Sequence, residues 1–129
     1  MDKIKSQELA STGESVAASF LVSAGYKVVY RNYRQPCGEI DLIVEKNQRL
    51  IFVEVKTRTY HSITSALASV SYYKRRRITR TAQVYINQNP VYANHIFRFD
   101  VIVVFYYPAT DTYSIKHYED AFYPVFDDN

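Results

Sequence analysis

Apolar positions recur at three- and four-residue steps over residues 6–24, where Leu9, Gly13, Val16, Phe20 and Ala24 form a stripe flanked by Ala10, Ala17 and Leu21. That period predicts an amphipathic helix, stopped by Gly25. Glu14 falls at the edge of the stripe, about 80° from its centre at roughly 100° per residue, so it can reach along the core side. The pattern then changes. Residues 27–33 are rich in β-branched and aromatic side chains and predict a strand. "QPCG" turns the chain, and residues 39–44 and 50–57 predict two further strands. A loop beginning "RTYHSITS" leads to a second helix over about 69–88, with Val70, Ile78, Ala82 and Tyr85 facing inward and Asn89-Pro90 ending it. Residues 96–107 predict a long interior strand, because the run 101–105 is apolar at every position and must be covered on both faces. A turn with a short strand (108–120) and a packing tail, "AFYPVF", complete the chain.

The resulting order is α-β-β-β-α-β-β. A strand–helix–strand crossover over residues 50–107 implies a parallel pair with a right-handed connection. The preceding hairpin implies antiparallel neighbours. The expected fold is therefore α/β, a mixed sheet flanked by helices. At 129 residues, with no internal repeat and no linker, one domain is expected over the whole chain, with its core at about 6–122.

Within the hairpin the polar positions are unusual. Strand alternation puts Glu39, Asp41 and Ile43 on one face and Ile40, Leu42 and Val44 on the other. In the next strand Phe52, Glu54, Lys56 and Arg58 share a face, while Ile51, Val53 and Val55 take the opposite one. A turn centred on Asn47-Gln48 sets Asp41 opposite Glu54 and Glu39 opposite Lys56. Directly opposite Cβ atoms lie about 4.5–5.5 Å apart, so two carboxylates there repel. A divalent cation between them relieves the repulsion, and carboxylate oxygens with open positions for water suit Mg²⁺ or Mn²⁺. Lys56, two residues beyond Glu54, can stabilise charge on a phosphate oxygen or orient an attacking water. A structural reading of the same residues stands beside this one: a cross-strand Glu39–Lys56 ion pair, with Asp41 and Glu54 solvated.

Composition narrows the picture. Hydrophobic content of 47% and charge of 22% are ordinary for a globular protein. The first residues are polar with no apolar run behind them, so no signal peptide is expected. No apolar stretch approaches the roughly 20 residues of a membrane span. The single cysteine, Cys37, excludes an internal disulfide framework and cysteine-pair zinc sites and fits a reducing cytoplasm. The net charge of +3 is mild, but its distribution is not even. "YKRRRITR" (73–80) contains Lys74, Arg75, Arg76, Arg77 and Arg80. "YKVVYRNYR" (26–34) contains Lys27, Arg31 and Arg34 among three tyrosines. Basic residues interleaved with aromatics suit a polyanion. The five cations of 73–80 cannot share one helix face, so some grip phosphate and some are solvated. His61, His95 and His117 have no mutual ligand spacing, and Cys37 has no evident base.

An acid on one strand followed by acid-x-lysine on the next, here Asp41 and "EVK" at 54–56, resembles the core pattern of the PD-(D/E)XK nuclease superfamily. The context is more specific: "GE" at 13–14, "GY" at 25–26, "RNYR" at 31–34, "GEIDLI" at 38–43, "FVEVKTR" at 52–58, "RFDV" at 98–101 and "AF" at 121–122. Together these resemble the YraN-like family of small bacterial proteins, from about residue 12 to residue 122. That family is in turn similar to archaeal Holliday junction resolvases. The resemblance implies a restriction-endonuclease-like fold and a metal-dependent endonuclease acting on DNA, including branched or structured DNA. It implies Asp41 and Glu54 as metal ligands, Glu14 as the helix-borne acid that assists them, and Lys56 as the catalytic lysine. Glu39 matches "GEID" but not the minimal nuclease motif, and its role stays open. Arg31, Arg34, Arg58, Lys74 and Arg77 are the expected nucleic-acid contacts. A homodimer is compatible with a symmetric junction. Two departures stand out: the segment after Arg58 lacks the glycine common in the family, and Cys37 takes a position where a basic residue is common. The alternative is a nucleic-acid-binding or scaffold protein that keeps the fold without turnover.

Overall fold

The structure of the protein is a computed structural model that describes residues 3–59 and 69–126, with side chains from Gln7 onward. The elements are α1 (Lys3–Ser23), β1 (Lys27–Gln35), β2 (Gly38–Lys46), β3 (Arg49–Thr59), α2 (Tyr72–Gln88), a short 3₁₀ turn (Pro90–Tyr92), β4 (Ile96–Tyr107) and β5 (Thr112–Tyr118). Their order is the expected one. The expected loop with Tyr60 and His61 lies outside the described residues. The strands form one open five-stranded sheet in the order β1-β2-β3-β4-β5. β3 and β4 are parallel, and every other pair is antiparallel. No helix among the described residues is long and apolar enough to cross a membrane.

Each helix covers one face of the sheet. Beneath α1 lie Ala17 and Leu21 with Leu42, Val44, Ile51, Val53, Ile102 and Val104. Beneath α2 lie Ile78, Ala82 and Tyr85 with Ile43, Phe52, Phe99, Val101 and Val103. The unbroken apolar run of β4 follows, since its successive side chains enter alternate cores. Each fully buried Val, Leu, Ile or Phe contributes roughly 1.5–3 kcal/mol by leaving water. The tail closes the α2 side: Phe122 is buried there, and the Val125 N–H donates to Thr79 Oγ1 at 2.9 Å.

Local sequence explains how the helices are set. The face of α1 that meets the sheet is Gly13, Ala17, Ala18 and Leu21. The expected stripe put Phe20 and Ala24 there, but both are exposed. Small residues win because the helix lies close to the strands: a Cβ on Gly13 would sit 2.0 Å from Thr57 Oγ1. The helix ends in a Schellman motif. Gly25 has φ +93°, its N–H donates to Val22 O at 3.0 Å, and the Tyr26 N–H donates to Leu21 O at 2.9 Å. Helix α2 begins at Tyr72, slightly later than expected, because Ser71 caps it by accepting from the Lys74 N–H at 3.2 Å.

The β2–β3 hairpin has the expected register, from Leu42 opposite Val53 to Lys46 opposite Arg49. Both turn residues, Asn47 (φ 51°) and Gln48 (φ 60°), are left-handed, the conformation of a two-residue type I′ turn. Beyond Leu42 the regular pairing stops. Ile40 packs in the α2-side core with Ile43, not with Leu42 and Val44 as strict alternation requires. The strand therefore kinks at Asp41. β1 kinks beside it at Asn32 (φ 52°), which lets Tyr30 and Tyr33, three apart, meet edge-to-face at 5.2 Å.

A buried polar cluster ties the α1 side together. Asp100 is fully buried. It accepts from Arg98 Nε at 2.8 Å and Nη2 at 2.9 Å, from His117 Nε2 at 2.8 Å and from the Asp120 N–H at 2.9 Å. Arg98 also donates to the Tyr26 hydroxyl at 3.2 Å. These bonds join β4, β5, the start of β1 and the C-terminal segment.

Candidate active site

At the kink, Asp41 turns its carboxylate onto the neighbouring strand. The Val55 N–H donates to Asp41 Oδ2 at 2.8 Å, so a side chain takes the place of a ladder partner. This fixes Asp41 beside Glu54. Glu54 has only 10% of its side chain exposed and pairs with Lys74 Nζ of α2 at 2.5 Å. The two acids share a cleft of about 230 Å³ with Gly38, Glu39, Lys74, Arg77 and Ile78. Gly38 lets α2 come this near: a Cβ there would lie 2.9 Å from Thr81 Oγ1. A larger cavity of about 670 Å³ between α2, β4 and the tail is lined by Thr79, Ala82, Ile86, Phe97, Phe99 and Phe126 among others. It has no ionisable side chain in its lining, so the smaller cleft is where chemistry is concentrated.

The electrostatics follow from burial and like charge. Burial pushes the Asp41 carboxyl up, the Glu54 charge raises it further, and Glu14 and Glu39 add to this. The Val55 hydrogen bond opposes them, and the result is a pKa of about 7. Glu14 is also raised, first by burial and then by Glu39, against a hydrogen bond with Asn32 and the charges of Arg31 and Arg34. Lys56 is lowered, mainly by burial and the nearby Lys74, with Glu54 opposing. Three carboxylates therefore bear on Asp41, and the cations of α2 and β1 surround them.

The structure brings some of the expected site residues into one cleft and places others outside it. Asp41, Glu54, Lys74 and Arg77 line one cleft. Lys56 Nζ donates to the Ser69 carbonyl at the approach to α2. The expected Glu39–Lys56 pair does not form. Glu39 instead accepts from Arg34 Nε across to β1 at 3.2 Å, because the regular pairing ends at Leu42 and the kink re-aims everything before it. Glu14 stands beside the acid pair and bonds to Asn32. Among the described residues no three His, Cys, Asp or Glu side chains gather as a metal-binding group; Glu14 bears on Asp41 through its charge. Arg31 donates to Ser15 Oγ at 3.1 Å, Arg58 to the Thr57 carbonyl at 2.8 Å and Arg77 to the Cys37 carbonyl at 3.3 Å. Asn32 was missed as a site residue. A lone asparagine inside an aromatic strand, in "YRNYR", is the signal that marks it, since Asn tolerates the left-handed conformation.

These features define an α/β protein with an open mixed sheet and a carboxylate–lysine cleft between β2, β3 and α2. The chain belongs to the uncharacterised protein family UPF0102, whose family model matches residues 13–104. Among its relatives, a UPF0102 protein of Clostridium botulinum (strain Loch Maree / Type A3) is 35% identical over 116 residues, covering 90% of this chain and 94% of that one. Another, from Clostridium novyi (strain NT), is 39% identical over 114 residues, covering 88% and 94%.

Proposed function

We propose that the protein is a metal-dependent endonuclease of the PD-(D/E)XK type that hydrolyses phosphodiester bonds in DNA, with branched or structured DNA as its substrate class. The observation that carries this reading is the juxtaposition of Asp41 with Glu54 at the β2 kink, in a cleft lined by α2 cations. The donor set fits Mg²⁺ or Mn²⁺. Two half-buried carboxylates under mutual repulsion supply hard oxygen ligands, and the cleft leaves room for water and a phosphate oxygen, as Mg²⁺ sites with one or two carboxylates require. When bound, such an ion lowers the pKa of a coordinated water and offsets phosphate charge.

The remaining work falls to the chain itself. Asp41 and Glu54 hold the ion, and the Val55 N–H fixes the Asp41 carboxylate in orientation. Lys56 lies on the strand two residues beyond Glu54. Its ammonium stabilises developing charge on the phosphate or orients the water. Lys74, Arg77, Arg34, Arg31 and Arg58 grip the backbone and position it without reading sequence. The test is cleavage of labelled four-way junction, flap, linear duplex and single-stranded DNA with Mg²⁺ or Mn²⁺, with Lys56→Ala run beside wild type. Metal-dependent cutting lost in the variant is the expected result.

A second reading, a nucleic-acid-binding or scaffold protein without turnover, is favoured by one observation: Glu54 already has a counter-ion in Lys74. On that reading DNA binds, none of the four substrates is cut, and Mn²⁺ does not bind at Asp41 and Glu54.

A further inference from the structure

Lys74 occupies an unfavourable position for a cation. It is at the third residue of α2, where the helix N-terminus presents partial positive charge, and its neighbours Arg75 and Arg76 are basic too. Its counter-ion is the Glu54 carboxylate at 2.5 Å. The two partners differ in freedom: half of the Lys74 side chain is exposed, but only a tenth of Glu54. Glu54 is held in the sheet, and Lys74 reaches it from outside on a flexible stem that can swing back to solvent. The ammonium sits on Glu54 Oε1, on a carboxylate that would also serve a divalent ion.

We propose that Lys74 is a displaceable counter-ion that couples metal binding to DNA binding: it competes with the divalent cation for Glu54 and is drawn off by backbone phosphate. This rests on the nuclease reading above and adds an order to it. Without DNA, Lys74 neutralises Glu54 and weakens metal binding. With DNA, the ammonium transfers to a phosphate oxygen, and Glu54 is released to the ion. Placing a phosphate where Lys74 can meet it satisfies a cation the helix end disfavours. By linkage, the factor by which DNA strengthens metal binding equals the factor by which metal strengthens DNA binding. The ion then enters fully only when substrate is present, which limits adventitious hydrolysis.

The experiment is calorimetric titration of Mn²⁺ into the full chain: wild type, Lys74→Met and Lys74→Arg, each with and without a short DNA duplex. The arms with DNA use the Lys56→Ala background so that cleavage does not interfere. Lys74→Met keeps the apolar stem and removes the charge; Lys74→Gln repeats the test with a polar stem. Without DNA, Lys74→Met and Lys74→Gln are expected to bind Mn²⁺ about tenfold more tightly than wild type, a shift of roughly 1.4 kcal/mol, and Lys74→Arg is expected to match wild type. Adding the duplex should tighten Mn²⁺ binding in the Lys74-containing protein and have much less effect in Lys74→Met. Equal Mn²⁺ affinity in wild type, Lys74→Met and Lys74→Gln without DNA overturns the proposal and leaves the nuclease reading standing. No Mn²⁺ binding by any form, with or without DNA, overturns the nuclease reading and this proposal with it.

Discussion

Two aspartates on the same sheet, Asp100 fully buried and Asp41 half-buried, have opposite surroundings. Asp100 receives hydrogen bonds from Arg98, His117 and the Asp120 backbone. Burial alone would raise its pKa, but those bonds outweigh burial and hold it below the ordinary carboxylate value. Among the described residues Asp41 receives one bond, from the Val55 N–H. Burial and the Glu54 charge lift it to about 7. A satisfied buried charge is a fastener. A half-buried charge left short of partners, beside a second acid, is stressed, and strongly shifted groups in clefts are functional-site candidates. The chain spends its polar partners on Asp100 and withholds them from Asp41.

The largest effect is expected where the fastener is removed. Asp100→Ala strands Arg98 and His117 without their buried acceptor and should cost about 3–5 kcal/mol, read by chemical denaturation. A loss under about 1 kcal/mol would mean that the cluster is ornamental. Next is the close approach of α1. Gly13→Ala drives a methyl group into Thr57, at 2.0 Å from its Oγ1, and should cost about 1–3 kcal/mol. It also shifts Glu14 away from Asn32, so on the nuclease proposal DNA cleavage should fall by more than stability alone explains.

Asp41→Asn tests the other half of the comparison, and its sign is opposite. The folded-state pKa of Asp41, about 7, lies above its ordinary value of 3.8. Between those values the folded protein binds more protons than the unfolded chain, so stability falls as pH rises through the window and stays low above it. Asp41→Asn should therefore be more stable than wild type at pH 8, by about 1–2 kcal/mol after discounting for solvent, and near wild type at pH 4. Melting temperatures across that range measure the difference. Parallel profiles for the two proteins would contradict the stressed-carboxylate account. Asp100 works the other way. Its depressed pKa contributes stability above about pH 4, lost as pH falls through its folded value, so Asp100→Ala should flatten the acid limb.

The smallest effect is at Glu39. Its partner Arg34 is 75% exposed and Glu39 itself 41% exposed, and surface pairs contribute little. Glu39→Gln should change stability by less than about 0.5 kcal/mol. A larger loss would assign Glu39 a structural role.

The hairpin shows what sequence could and could not convey. Its register was legible because two residues between alternating apolar runs force a tight turn, and one buried face forbids a slip. That reasoning put Asp41 next to Glu54. It failed one and two residues earlier, at Ile40 and Glu39, because the kink at Asp41 depends on Val55 donating to a side chain across the sheet, which no local pattern encodes. In α1 the period was right but the face was wrong. Phe20 looked like core, whereas Gly13 and Ala17 face the strands, since the closeness of α1 to Thr57 is a tertiary fact. Asp100 was legible only as part of "RFDV". Its partner His117 lies on β5, and the pairing of Ile102 with His117 is what brings that ring near. Lys74 and Arg77 were expected on the binding surface and line the acid cleft. The Lys74–Glu54 pair was not foreseen, because the cap at Ser71 sets where α2 starts and so which cation meets the sheet.

The most direct test is Asp41→Asn assayed for both melting temperature at pH 8 and Mg²⁺-dependent DNA cleavage. The account predicts a protein that melts higher than wild type and does not cut. A variant that melts lower, or that cuts at the wild-type rate, would contradict it.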